Sequence, residues 1–169
     1  MEGIEHRIAR DLFITATEFA QATFASEKKL PRDAAEVLKL TATDAFTFEV
    51  TFLELLGKIA ADLVEEPTEY DERGNAVRKE VAILEDRVGD VNPSLISTEV
   101  DSSAGLEKLI VDSLSHRRVS ATARNAQSSR SHALLTIRIK NKTNPYAEEG
   151  QLILVECVVL QFVQPFACS

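Results

Sequence analysis

Asn125-Ala126-Gln127-Ser128-Ser129-Arg130-Ser131-His132 gathers hydroxyls, an amide, a guanidinium and an imidazole into eight consecutive residues. Serine can offer an oxygen to Mg²⁺, and asparagine and serine can donate hydrogen bonds to phosphate oxygens. Arginine presents a planar fork of donors that pairs with a carboxylate or a phosphate through two bonds at once. Together these side chains suit a metal-bound phosphate. A solvated Ser/Arg-rich loop has the same composition, so the octapeptide is decided by what surrounds it.

The surrounding elements are legible from periodicity. Ile4, Ile8, Leu12 and Ala16, widened by Phe13 and Phe19, predict an opening helix. Pro31-Arg32-Asp33 starts a short helix through Leu40. Phe46, Phe48, Val50 and Phe52 alternate with Thr47, Glu49 and Thr51, the pattern of a half-buried strand. Leu55, Leu56, Ile59 and Leu63 then fall at helical spacing, and the stretch from Glu65 to Gly74 reads as a loop. Short strands follow around Val81, Ile83 and Val88 to Ile96, broken by Gly89 and Pro93.

A helix capped by Ser102 or Ser103 buries Leu106, Leu109, Ile110 and Leu114, and ends in His116-Arg117-Arg118, where cations suit the helix dipole. It delivers the chain to the octapeptide. A second alternating strand, Leu135, Ile137 and Ile139, carries it away. Leu152-Ile153-Leu154-Val155 is a continuous apolar run of the kind found in central strands.

At 169 residues the chain is long enough for one domain with a real core, and 44% hydrophobic with 27% charged residues is ordinary for a globular protein. No apolar run spans a bilayer and the N-terminus lacks a secretory pattern, so no membrane partner is expected. Cys157 and Cys168 make neither a disulfide framework nor a zinc site, which points to a reducing cytosolic setting. From Lys108 to Lys142 eight cations stand against Asp112 alone, a net +7 in a chain of total −8, leaving −15 elsewhere. A basic island in an acidic chain implies a local anionic partner, not a nucleic-acid coat; a merely solvated face is the equal alternative.

The octapeptide resembles the NxxSSRSH switch I motif of the kinesin motor domain. Further segments resemble that family in the family's own order. Gly3-Ile4 through Asp11-Leu12-Phe13 is similar to its GIIPRAxxDLF helix, and Val50-Thr51-Phe52-Leu53-Glu54-Leu55 to its VSFLEIY strand. Asp62-Leu63 is similar to its DLL, Ser102-Ser103 to its VSS helix start, and Arg117 to Thr122 to its NRxVAAT approach to switch I. Gly150-Gln151-Leu152-Ile153-Leu154-Val155 resembles the GxLxLVD strand that leads to switch II.

The resemblance implies an α/β fold, part of a P-loop nucleotidase with a mixed central sheet flanked by helices. Residues 1–155 would be the motor-like part and 156–169 a divergent tail. It implies ATP with Mg²⁺ as cofactors, microtubules and other kinesin chains as partners, and a cytoplasmic, cytoskeletal location. Asn125, Ser128 and Ser129 would then belong to the nucleotide's phosphate shell, with Ser129 on the metal. Arg130 would close the site by pairing with switch II, and His132 would be structural.

The departures set limits on activity. A phosphate-binding loop needs G-x-x-x-x-G-K-[ST]. Of the six glycines only Gly57 precedes a lysine, with Ile59 next and Phe52 where the first glycine belongs. The family's loop precedes the opening helix, so the expectation is that this chain starts just after it. Where the family reads DLAGSE, this chain has Glu156, Cys157, Val158, Val159, Leu160 and Gln161, so Arg130 lacks its carboxylate partner. Losing about four charge-assisted bonds removes on the order of 6 kcal/mol, taking a micromolar site beyond the millimolar range. The expectation is that this chain alone does not hydrolyse ATP. The alternatives are a non-catalytic module that binds tubulin or another kinesin through the basic island, and a switch segment phosphorylated at Ser128, Ser129 or Ser131.

Overall fold

A computed structural model describes residues 4–29, 39–72, 76–77, 79–85, 87–89, 91–116, 131–144 and 146–156. The chain opens with helix α1, Ile4–Lys28, followed by the single turn α2, Ala42–Ala45. Strands β1, Phe46–Leu56, and β2, Ile59–Asp62, form a hairpin. An excursion then carries β3, Glu69–Tyr70, β4, Ala76–Val77, β5, Ile83–Glu85, and β6, Val91–Pro93. Strand β7, Thr98–Val100, helix α3, Ser103–Ser115, and strands β8, Ser131–Asn141, and β9, Gly150–Glu156, complete the described elements.

The main sheet has the order β2-β1-β8-β9, and β7 shares with β2 the same edge of β1. Every described pairing is antiparallel. Strands β1 and β8 pair without interruption from Phe46↔Asn141 to Leu56↔Ser131. This alignment puts Phe48, Val50, Phe52, Leu135 and Ile137 on one face, which α1 and α3 cover with Ala9, Leu12, Phe13, Leu106 and Ile110. Phe48, Val50 and Ile137 are fully buried, and the Phe13 ring lies 4.5 Å from that of Phe48. Alanine recurs on the buried side of α1, at Ala9, Ala16 and Ala20, and Ala9 is fully buried in the core.

The α/β architecture expected from sequence is thus present, and four local expectations change. The helical spacing of Leu55, Leu56, Ile59 and Leu63 belongs to the end of β1, to β2 and to the residue that follows it: Gly57, at φ 63, takes the left-handed turn that reverses the chain. Phe19 is 60% exposed, touching only the rim of the core through Phe46, so it does not widen the buried stripe. The loop after Glu65 contains a short β3–β4 pairing. The apolar run 152–155 pairs with β8 alone among the described residues, leaving Ile153 and Val155 half exposed where a central strand would bury both faces. The proposed helix from Pro31 to Leu40 lies mostly outside the described residues.

Candidate functional site

Helix α3 brings the chain to the octapeptide. Ser102, in extended conformation, caps it by accepting the backbone N–H of Gly105 at 3.1 Å, as expected for one of the two candidate serines. Leu106, Ile110 and Ser113 are buried along its inner face. Sequence reading made His116 a cation at the helix end; the structure gives its ring a specific contact. Nδ1 lies 3.0 Å from the carbonyl oxygen of Leu63, and a carbonyl only accepts, so Nδ1 carries the proton.

Leu63 is fully buried directly after β2, and its own N–H donates to Phe52 O at 2.8 Å. Beside it Asp62, 5% exposed, accepts the N–H of Val64 at 2.8 Å and that of Ile96 at 2.6 Å. One carboxylate therefore ties the start of the excursion to its end, next to the carbonyl that holds His116.

Asn125, Ser128, Ser129 and Arg130 lie outside the described residues, so their side-chain positions are not part of this geometry. Ser131 and His132 are described, as the first residues of β8. Ser131 is 3% exposed and pairs with Leu56 at the end of β1. Burial at this strand end disfavours Ser131 as a phosphoacceptor. His132 is exposed and its backbone pairs with Leu55.

Sequence reading passed over Glu54. It is 1% exposed, opposite Ala133 in the register that sets the start of β8. The signal was available: Phe48, Val50, Phe52 and Glu54 share the inward parity, and a carboxylate there is conspicuous. Asp62 gave no such signal, because its partners come from the far end of the excursion.

The basic island is largely answered locally where it is described. Lys140 pairs with Glu49 at 2.6 Å across the sheet, Arg138 approaches Glu149 at 3.9 Å, and Lys142 donates to Thr43 O at 2.8 Å. Arg117, Arg118, Arg124 and Arg130 lie outside the described residues. Among the described residues no group of His, Cys, Asp and Glu side chains could hold a metal ion. No described helix is long and apolar enough to cross a membrane.

The donor set of the octapeptide matches one side of a magnesium–nucleotide complex: a hydroxyl oxygen for the metal, and amide, hydroxyl and guanidinium donors for phosphate. The other side, the glycine-rich cradle with its lysine, has no counterpart in these residues.

Comparison with known proteins supplies the family. The kinesin motor domain model matches residues 1–162. Kinesin-like protein KIN-5D of Arabidopsis thaliana is 33% identical over 138 residues, covering 75% of this chain and 13% of that protein. Kinesin-like protein KIN-5B of Oryza sativa subsp. japonica is 30% identical over 166 residues, 96% of this chain and 15% of that protein. Kinesin-like protein klp-20 of Caenorhabditis elegans is 30% identical over 120 residues, 71% of this chain and 17% of that protein. The chain therefore spans less than a fifth of the length of these relatives. A solved structure of a fast kinesin, studied for its ATPase mechanism and its interactions with microtubules, superposes with a TM-score of 0.52 at 25% identity. The superposition covers 73% of this chain and 33% of that one. With the family match running through nearly all of its length, and with the ordered motifs present in the sequence, this chain belongs to the kinesin motor domain family.

Proposed function

We propose that this chain is the switch I-bearing portion of a kinesin motor domain, in a protein that binds and hydrolyses ATP with Mg²⁺ and moves along microtubules. The observation that carries the reading is the family match over residues 1–162, with every specified position of NxxSSRSH present. Asn125, Ser128 and Ser129 would hold the phosphates, Ser129 giving its hydroxyl to Mg²⁺, which supplies charge neutralisation at the phosphoryl group. Arg130 would close the site, and the setting is the cytoplasmic microtubule cytoskeleton. Residues 1–155 form the motor-derived unit and 156–169 the tail in which the switch II pattern diverges. Within these residues the reading includes no turnover, because the phosphate cradle is missing from the sequence and Gln161 stands where Arg130 needs a carboxylate.

The test is a chimaera: residues 3–155 replace the matching segment of an active kinesin motor domain, leaving that domain's phosphate loop and switch II in place. Microtubule-stimulated phosphate release that Ser129→Ala or Arg130→Ala abolishes supports the proposal. A folded chimaera without turnover refutes it. The unextended chain should release no phosphate above blank, and clear turnover would overturn the inactive reading of these residues.

A further inference from the structure

Phe19 is 60% exposed although its spacing along α1 predicts burial. It lines a cavity of about 80 Å³ between the later turns of α1, α2, the start of β1 and the end of β8. Phe24 and Phe46 line the same cavity, with the Phe19 and Phe46 rings 6.0 Å apart. Glu27 and Asp44 also stand on its walls, and none of the described lining residues is a lysine or an arginine.

Hydrogen bonds fix the frame. Gln21 Nε2 donates to Leu40 O at 3.0 Å, and Thr17 Oγ1 accepts the N–H of Ala42 at 3.1 Å, tying α2 and its approach to α1. Lys142 N donates to Ala45 O and its Nζ to Thr43 O, each at 2.8 Å, tying α2 to the end of β8. The cavity is therefore preformed. Its volume lies far below the roughly 300–1,000 Å³ that encloses a drug-sized ligand, and suits the head of one side chain.

Charge decides which head. Asp44 accepts the Thr41 backbone N–H and the Thr41 hydroxyl, both on Oδ2, so Oδ1 has no hydrogen bond among the described residues. Those bonds hold its carboxyl below the usual aspartate range, so it is ionised at neutral pH. Phe19, Glu27, Asp44 and Phe46 all belong to the part of the chain that carries −15, a field that favours a cation. Aromatic faces attract cations as well. A guanidinium is planar and weakly hydrated, stacks on rings and donates from its edge to carboxylates, whereas a lysine ammonium is compact and strongly hydrated.

We propose that this cavity receives an arginine side chain of a partner protein, its guanidinium stacked on the Phe19 ring and paired with the carboxylates of Glu27 and Asp44. The site lies apart from the octapeptide in sequence and does not rest on the nucleotide reading.

The test is saturation-transfer NMR on the whole chain, from protein aromatic protons to the side-chain protons of N-acetyl-arginine methylamide at millimolar concentration. Citrulline in the same derivative has nearly the same shape without the charge, and lysine supplies the other cation. Arginine should receive the strongest transfer. Phe19→Ala should weaken it about two- to fivefold, the factor for one exposed cation–ring contact. Glu27→Gln should weaken it about twofold, as should molar salt. Both side chains are exposed, so both variants should keep the far-UV circular dichroism of the unsubstituted chain. No transfer to arginine overturns the proposal. Equal transfer to citrulline shows a merely apolar cavity, and stronger transfer to lysine shows an ammonium site; either overturns it. Full signal in either variant does the same, and if Phe19→Ala loses its fold, Glu27→Gln and the citrulline comparison still decide.

Discussion

Replacing Asp62 is the sharpest test of how this fold holds its excursion. The carboxylate is 5% exposed and accepts two backbone N–H groups, from Val64 at 2.8 Å and Ile96 at 2.6 Å. Each charge-assisted bond is worth roughly 1.5–3 kcal/mol. Ile96 is 45% exposed, so its released N–H regains some water, and the lower end of the range applies. Asp62→Ala should therefore cost about 3 kcal/mol. Asp62→Asn keeps one acceptor oxygen but turns an amide N–H toward the second donor, and should cost about half as much. The assay is urea unfolding followed by far-UV circular dichroism at neutral pH. With a slope near 2 kcal/mol/M, the alanine variant should lower the midpoint by about 1.5 M. A shift below about 0.3 M in Asp62→Ala would show that the excursion is held by something else. Equal losses in the two variants would show that charge, rather than the two directed bonds, is what matters.

Three further outcomes follow from particular contacts. The Asp44 carboxylate lies below the usual aspartate range because it accepts the Thr41 backbone N–H at 2.8 Å and then the Thr41 hydroxyl at 2.7 Å, with Lys142 a lesser cause. A depressed folded value means its contribution is present above the unfolded value and lost as pH falls through the folded one. A carboxyl titration by NMR should thus place the Asp44 midpoint below that of a free aspartate. Thr41→Val should raise it only part of the way; full recovery would show that the hydroxyl, not the backbone, is the main cause. Ser102→Ala removes the cap on α3 and should cost about 1 kcal/mol in thermal unfolding, with Ser102→Gly losing only a few tenths; equal losses would point to a role other than capping. Lys140→Met should change stability by less than about 1 kcal/mol, because the pair with Glu49 is partly solvated. A double-mutant cycle with Glu49→Gln at low and high salt checks this, and a large coupling that survives molar salt would contradict it.

How far the sequence could be read depended on how local each cause was. Phe46 to Phe52 announced β1 by alternation, and Ser102 announced α3 by its cap, because both signals sit within a few residues. Leu55 to Leu63 misled because a short apolar run fits either period. Gly57 decided the matter by reversing the chain, so that Leu55 pairs with Ala60. The run 152–155 showed apolarity but not neighbours, and its burial depends on which strands flank it. The octapeptide was legible as chemistry from its residue types alone. The framework around it was not: Asp62 finds Ile96, and His116 finds Leu63, only after the sheet and α3 have been assembled.

The unbroken ladder between β1 and β8 also dictates where this chain can change length. Side chains alternate between faces with a period of two, so one residue inserted within β8 would exchange the two sets beyond it. Arg138 and Lys140 would turn toward the helices, and Ile137 and Ile139 toward water. Deletion would do the same, and neither strand has slack to absorb the slip across pairs running from Phe46 to Leu56. The excursion obeys another rule. It leaves and returns through Asp62 and Ile96, and doubling the chain between them costs only about 0.6 kcal/mol in closure entropy. Length variation among proteins sharing this framework should gather between those two residues, while the β1–β8 pair keeps its count.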